Sequence, residues 1–411
     1  MESVFTPLQQ GVKLIGIGKH GSKKLPEELI AAITDELLEG HCSPILVGAF
    51  IGAVLMKPIE PSYAPLENYF GKDSLNNPSF IWEKFCSEIS EHLRSSGLKL
   101  MHKETLSKDE ALSLGSFLMS DQPGEFFRGL AMSILRIRYE SDAEYEGLYQ
   151  ALLQEAKYPP ADIPADPNLI QLSEPFDGAE HSYMITPLLA QAFQQMGYRA
   201  ITTCSHNPGP KMTLNTHSLY TELGGHFILK PSDLLNAPPE YGWAMNLADF
   251  YPPLDQWVLR RRILMKRPFL ATLEKVLNPL KAKILITSVF HIPYLEKMVQ
   301  LADMAGFDGV IVMKRGLEGS LAPSLAKASG ILCAARDKTG KMLTTSILPS
   351  GQNKVEVDAV IEGVSARDNV ALIGQFLAGE NVSHSEFGIC AEEAVALYKK
   401  GLDWIESVFS A

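Results

Sequence analysis

Four prolines within residues 158–167 constrain the fold of this chain more than any other sequence feature. Proline has no amide hydrogen and a fixed φ angle, so a helix cannot run through such a segment, which forms a semi-rigid extended connector instead. We therefore predict a linker at residues 158–168, with one domain at 1–157 and a second at 169–411. A chain of 411 residues, 46% of them hydrophobic, is long enough for a core in each domain.

The segment before the linker has the periodicity of helices, because its apolar residues recur at helical spacing. Residues 25–57 align without a gap with residues 106–138, and this alignment places Gly48 on Gly129. The pattern predicts an all-helical N-terminal domain with a duplicated helical hairpin. Chance similarity between two amphipathic hairpins is the alternative. Residues 58–105 are then an insertion between the two copies.

After the linker the pattern changes to short β-branched runs that alternate with helical segments. Such runs occur at 200–203, 284–289 and 309–313, and a loop and a helix follow each of the first two. This alternation predicts a larger α/β domain with a central mixed sheet flanked by helices. We predict residues 240–281 to be helical and to pack back on the N-terminal domain.

Residues 199–225 contain the strongest candidate for a ligand-binding loop. A β-like run stops at the Asn-Pro-Gly-Pro sequence of 207–210, and a helix is predicted at 215–223. A strand, a glycine-containing loop and a helix start can present backbone N–H groups to an anion. The polar or glycine residues that could contact a phosphate or sugar are Ser205, His206, Asn207, Gly209, Lys211, Thr213 and Asn215. The alternative is an ordinary turn between a strand and a helix.

Composition excludes some classes of function. A net charge of −11 argues against a surface that binds nucleic acid over its whole extent, although a local basic patch remains compatible with it. No apolar run approaches the roughly 20 residues of a membrane helix. The five scattered cysteines form no CxxC pair, which favours reduced thiols in a cytoplasmic protein without a structural zinc site.

Several separated motifs carry a family resemblance. They are Glu-Gly-His-Cys-Ser-Pro at 39–44, the arginines Arg261, Arg262 and Arg267, and Ala-Arg-Asp-Asn at 366–369. With these motifs in this order, the chain resembles the anthranilate phosphoribosyltransferase family of the nucleoside phosphorylase-like glycosyltransferases. The resemblance implies a helical domain joined to an α/β domain, phosphoribosyl pyrophosphate and Mg²⁺ as ligands, and a homodimer.

The chain departs from this family at the loops that bind phosphate. The family has a Gly-Thr-Gly-Gly-Asp loop where residues 174–179 here read Glu-Pro-Phe-Asp-Gly-Ala. Proline removes an amide donor and phenylalanine adds bulk where glycines let the backbone approach a phosphate. The residues to which the resemblance still assigns ligand binding are Asp177, Gly178, Thr186, Arg261 and Arg267, with Glu318 as the metal ligand. The resemblance implies that Arg261 holds an aromatic carboxylate, as its counterpart in the family does. The family has an acidic pair at 318–319, and here Gly319 stands in place of the second acidic residue.

Three functions are therefore compatible with the sequence. The first is phosphoribosyl transfer from phosphoribosyl pyrophosphate to an aromatic amine, with activity that is altered or lost. The second is a relative on the same fold that binds another phosphorylated sugar, a nucleotide or single-stranded nucleic acid, using the basic run at 260–267. The third is a non-catalytic dimeric scaffold in which that basic run is a solvated helix face. No catalytic residue is predicted.

Overall fold

The structure is a computed structural model that describes residues 5–16, 23–209, 211, 213–326, 329–348, 358, 360–361, 363–379 and 386–411. The chain divides into two compact units. The helical unit comprises Met1–Glu155 and Gln256–Thr272, and the α/β unit comprises Ala156–Asp255 and Leu273–Ala411. Within the described ranges, no helix combines the length and apolar character that crossing a membrane requires.

The described helices begin and end as follows. They are α1 Pro7–Ile15, α2 Glu27–Glu39, α3 Pro44–Leu55, α4 Glu67–Phe70, α5 Ser79–Phe85, α6 Arg94–Met101, α7 Lys108–Met119, α8 Glu125–Arg138, α9 Asp142–Gln154, α10 Thr186–Gln195, α11 Thr216–Glu222, α12 Pro253–Leu264, α13 Leu270–Val276, α14 Tyr294–Met304, α15 Ala366–Leu377 and α16 Glu386–Ser410. Local sequence determines several starts. The Ser107 side chain accepts from the Glu110 amide, and the Glu110 carboxylate accepts from the Ser107 amide, which satisfies two free donors of α7.

The helical unit is organised around the crossing of α3 and α8. A Cβ added at Gly48 would lie 1.9 Å from the carbonyl oxygen of Phe126, and one added at Gly129 would lie 1.9 Å from that of Ile45. The alignment of 25–57 with 106–138 places Gly48 on Gly129 and Ile45 on Phe126. Each helix therefore presents its glycine to the equivalent carbonyl of the other helix, and the crossing is reciprocal. The helices approach this closely only because neither glycine has a side chain.

The α/β unit is built on one sheet. Its described strands are β1 Leu169–Ser173, β2 Arg199–Cys204, β3 His226–Phe227, β4 Trp243–Asn246, β5 Ile284–Val289, β6 Gly309–Lys314, β7 Gly330–Arg336 and β8 Met342–Ile347. They lie in the order β3-β4-β2-β1-β5-β6-β7-β8. The pairs from β3 to β6 are parallel and the pairs with β7 and β8 are antiparallel. The sheet is therefore mixed, and the predicted fold class, a helical part with an α/β part, is confirmed.

The central strands are buried on both faces, as expected for parallel strands covered by helices. All of β1 and all of β5 are buried. On β7 lies α16, whose Gly401 approaches Ile311 and Ile331 so closely that an added Cβ would lie 2.8 Å from each side chain. These contacts fix the body of the sheet and leave its loops to form the candidate site.

The helical character predicted for residues 240–281 is wrong at its start. Residues 243–246 form β4, which pairs in parallel with β2 from Ile201 to Cys204. The run Trp-Ala-Met-Asn is fully buried there, so tertiary pairing overrides its weak helical pattern. By contrast, the strand and the helix predicted on either side of 205–215 are confirmed as β2 and α11.

Candidate functional site

The carboxyl ends of β2, β1, β5 and β6 lie side by side at one edge of the sheet. From β1 the chain passes first to β2 on one side and later to β5 on the other, so the strand order reverses at β1. In open α/β sheets, ligands bind in the crevice outside the carboxyl ends at such a reversal. The loops that follow these four strands therefore form the candidate site.

The loop after β1 packs tightly on the loop after β2. Gly178 has a φ of +74°, and a Cβ added there would lie 1.8 Å from the carbonyl oxygen of Leu214. The Ala179 amide donates to that carbonyl at 2.8 Å, and the Thr213 hydroxyl donates to the Ala179 carbonyl at 2.6 Å. The glycine in this loop thus permits a contact between two loops. Asp177 beside it is buried.

The loop after β2 is ordered by its own polar side chains. The Gly209 amide donates to the Asn207 side chain at 2.9 Å, and the Ser205 hydroxyl donates to the His206 carbonyl at 3.1 Å. Asn215 caps α11 by accepting from the Ser218 amide at 3.0 Å. These residues, predicted as ligand contacts, hold the loop in shape.

Glu174 is a buried carboxyl group that connects the loops. It accepts hydrogen bonds from the hydroxyls of Thr186 and Thr216 and from the Leu321 amide. Burial raises the pKa of Glu174, although these donors oppose the shift. Thr186, predicted as a phosphate ligand, donates its hydroxyl to this carboxyl group. No local pattern marks Glu174 as a site residue, because one of its donors, the Leu321 amide, lies 147 residues away.

Glu318 is the centre of a second cluster, which we call the anion cradle: the backbone N–H groups of Glu180 and His181, the Ser182 hydroxyl and the Lys211 ammonium. The Glu180 amide lies 3.1 Å from both carboxylate oxygens, the His181 amide 2.5 Å from Oε1 and the Ser182 hydroxyl 3.1 Å from Oε1. Lys211 forms an ion pair with Oε2 and also donates to the Gly178 carbonyl at 3.1 Å.

Electrostatics favour the ionised form of Glu318. Burial alone would raise its pKa, but the hydrogen bonds from Lys211 and from the amides of Glu180 and His181 outweigh burial, and the pKa lies below its usual range. The carboxylate is therefore an anion held by several converging donors. The structure thus brings together Lys211 and Glu318, which the sequence predicts as site residues for separate reasons.

The surroundings of Glu318 do not fit Mg²⁺. A magnesium ion needs oxygen ligands in octahedral geometry, whereas the oxygens of this carboxylate face N–H and O–H donors and an ammonium group. No group of three or more His, Cys, Asp or Glu residues in the described part of the chain is arranged to hold a metal ion.

A cavity of about 980 Å³ opens beside the cradle, beyond β5 and β6. Its lining residues are His181, Ser182, Phe290, His291, Ile292, Pro293, Arg315, Gly316, Leu317, Glu318, Ser324, Ala326, Asp358 and Val360. Phe290 is 56% exposed and its ring meets that of His291 edge to face. An apolar surface, a cationic Arg315 and hydrogen-bond donors thus surround one volume, a composition typical of small-molecule sites.

One side of the cavity is held by Asp358. Its carboxylate accepts from the Ser324 hydroxyl at 2.6 Å and from the amides of Leu325 and Ala326 at 2.8 and 3.0 Å. The Ile361 amide donates to the His181 carbonyl at 3.0 Å. Residues 358 and 361 are therefore attached to different walls. Asp358, Phe290 and Arg315 could not be predicted as site residues, because no local motif marks them.

The basic run at 260–267 belongs to the helical unit. Arg260 is paired with Glu125 at 2.9 Å, and Lys266 donates to the Ser133 hydroxyl at 2.8 Å. Arg261 and Lys266 are buried, with exposed fractions of 2% and 7%. Arg267, also predicted as a ligand contact, is half-buried in the same unit. Arg261 and Lys266 are thus packed within this unit, whereas Arg262 is exposed, so the run does not form one continuous basic surface.

Two proteins without a described function are similar to this chain in sequence. No protein-family model matches the chain. An uncharacterized protein of Aquifex aeolicus (strain VF5) is 24% identical over 220 residues, which cover 54% of this chain and 65% of that protein. The uncharacterized protein YbiB of Escherichia coli (strain K12) is 26% identical over 229 residues, 54% of this chain and 68% of that protein. The chain spans less than two thirds of the first relative.

Solved structures that share the fold include the following two. Anthranilate phosphoribosyltransferase (TrpD) from Thermus thermophilus matches with a TM-score of 0.57 at 17% identity, over 75% of this chain and 89% of that one. The Saccharomyces cerevisiae enzyme in complex with 4-fluoroanthranilate matches with a TM-score of 0.50 at 14% identity, over 79% and 100%. At these identities the likeness establishes the fold alone.

Proposed function

We propose that the α/β unit binds a phosphorylated sugar or nucleotide in the cavity beyond β5 and β6. In this proposal the chain is a phosphoribosyltransferase-like protein that has lost phosphoribosyl transfer to an aromatic amine. The anion cradle carries the proposal, because two amides, a hydroxyl and an ammonium group converge on one anionic position beside the cavity. Donors of this kind recognise phosphate groups.

The size and lining of the cavity support this ligand class. A volume of about 980 Å³ accommodates a nucleotide or a sugar phosphate. Phe290 offers an exposed aromatic surface to a base or sugar ring, and Arg315 offers a second cationic group. A purely structural role would not require an open volume next to the donors.

The loop after β1 supports the loss of transfer. Pro175 has no amide to donate, and the buried Phe176 occupies space where the family has glycine. Gly178 is committed to its contact with Leu214. Pyrophosphate as a leaving group needs donors aimed at the charge that develops on it, whereas Pro175 lacks an amide and the Gly178 amide donates to the Pro175 carbonyl. Mg²⁺, if required, would arrive with the phosphates of the ligand.

Titration calorimetry tests the proposal with phosphoribosyl pyrophosphate, with and without Mg²⁺. We expect saturable binding, and no consumption of anthranilate when its fluorescence is followed in the same mixture. Absence of binding by a folded sample would refute the ligand class, and turnover of anthranilate would refute the loss of activity.

The homodimer, the cytoplasmic location and the binding of single-stranded nucleic acid remain predictions. A labelled single-stranded oligonucleotide titrated in the same buffer tests the last of these. Binding that weakens steeply with salt and survives the loss of Lys211 would place nucleic acid on another surface.

A further inference from the structure

We infer that the Glu318 carboxylate occupies the position of the ligand's phosphate in the anion cradle, so that a phosphate monoester must displace it to bind. The inference rests on the proposed function and adds to it the phosphate subsite and its internal competitor. The subsite is formed by the amides of Glu180 and His181, the Ser182 hydroxyl and the Lys211 ammonium.

The hydrogen-bonding pattern is that of a bound anion. Both oxygens of Glu318 accept, with Oε1 taking the His181 amide and the Ser182 hydroxyl and Oε2 taking Lys211. The donors come from segments that are distant from Glu318 in the sequence. Those in the loop after β1 lie 136 to 138 positions away, and Lys211 lies 107 positions away. A phosphate has three terminal oxygens and can satisfy the same donors.

The backbone that presents Glu318 has an uncommon conformation. Glu318 has a φ of +49° and Arg315 a φ of +57°, in the left-handed region that residues with side chains rarely adopt. The turn is closed by the Leu317 amide, which donates to the Ala322 carbonyl at 2.7 Å. The Ser288 hydroxyl also donates to the Gly319 carbonyl at 2.6 Å. The surrounding contacts thus hold the carboxylate in the cradle against a local preference.

The cavity provides space for the Glu318 carboxylate once a phosphate displaces it. The side chain of Glu318 is 20% exposed and lines the cavity. Arg315 lines the same cavity and forms no ion pair or side-chain hydrogen bond with any residue that the structure describes. When the Glu318 side chain rotates into the cavity, its carboxylate is therefore solvated and lies near Arg315. The phosphate then forms the ion pair with Lys211.

Removal of the carboxylate is the direct test. Orthophosphate and phosphoribosyl pyrophosphate, both without metal, are titrated calorimetrically into wild type, Glu318→Gln and Glu318→Ala. While the Glu318 carboxylate fills the cradle, the apparent affinity for an anion equals the intrinsic affinity multiplied by the fraction of molecules whose cradle is empty. We therefore expect Glu318→Ala to bind each anion at least about tenfold more tightly than wild type. Glu318→Gln keeps the shape of the side chain without its charge and should show a gain in the same direction.

Two further variants separate the cradle from general electrostatics. Glu296→Gln removes one negative charge from the exposed surface of α14, outside the cradle, and should leave both affinities unchanged. Adding Lys211→Met to Glu318→Ala should cancel the gain, because the ammonium would then be missing from the subsite. Thermal unfolding and circular dichroism establish that each variant is folded, and if Glu318→Ala is not, Glu318→Gln decides.

The outcomes distinguish the two proposals. If wild type binds phosphoribosyl pyrophosphate and neither Glu318 variant binds more tightly, the inference is overturned and the proposed function stands. A gain that persists without Lys211, or that Glu296→Gln reproduces, also overturns the inference. If no folded variant binds either anion, both proposals fail.

Discussion

The reciprocal glycine crossing in the helical unit allows a quantitative prediction. In Gly129→Ala the new Cβ would lie 1.9 Å from the carbonyl oxygen of Ile45, while carbon–oxygen contacts normally stay beyond about 3.3 Å. The helices α3 and α8 must therefore separate by roughly 1.4 Å at this point. All residues of α3 from Ile45 to Leu55 are buried, so the displacement acts on a continuous interface.

The cost follows from that displacement. A radial gap of about 0.5–1 Å already removes a quarter to a half of a contact's attraction, and overpacked cores lose about 1–3 kcal/mol or more. We expect an interface penalty of about 3 kcal/mol, at the upper end of that range, offset by about 1 kcal/mol because alanine favours a helix over glycine. The net loss in free energy of unfolding is then about 2 kcal/mol.

Amide hydrogen exchange followed by mass spectrometry measures this loss locally in α3 and α8, apart from the α/β unit. The control is Gly374→Ala in α15, where an added Cβ meets nothing within 4 Å and should stabilise the helix by about 0.5–1 kcal/mol. In Gly48→Ala,Gly129→Ala the second substitution should cost less than the first, because the helices are already apart. A loss below about 1 kcal/mol in Gly129→Ala, or strict additivity in the double variant, would refute the reasoning.

Three further outcomes follow from buried polar groups and a close loop contact. Burial lowers the pKa of Lys266 from 10.5 to about 7. Between these two pH values the unfolded chain therefore binds more protons than the folded chain. Stability should therefore rise with pH across that window by up to about 1.4 kcal/mol per unit, a rise that urea unfolding should find absent in Lys266→Met. Asn369 exchanges two hydrogen bonds with the Met184 backbone, and Asn369→Ala should cost about 3 kcal/mol in the same assay, whereas a cost near zero would mean that water replaces the amide. Gly178→Ala would push a Cβ against the Leu214 carbonyl and should abolish phosphate binding in calorimetry, while retained affinity would show that this loop contact does not shape the site.

Much of the fold could be predicted because it depends on local patterns. The prolines at 158–167, the helical spacing before them and the apolar runs after them are each read over a few residues. The segment 243–246 was missed because its strand exists only through pairing with β2. Short apolar runs do not distinguish strand from helix without that partner.

The candidate site divides in the same way. The sequence alone determined that Lys211, Gly178 and Glu318 are candidates, since residue type and the family resemblance select them one at a time. Only the tertiary structure decided what they contact: Gly178 permits a contact between two loops, and the Glu318 carboxylate accepts from a cradle of donors that includes Lys211. The physical reason is that hydrogen bonds and close contacts act over a few ångströms, here between residues that lie 138 or 147 positions apart in the sequence, and no local pattern encodes which groups will meet.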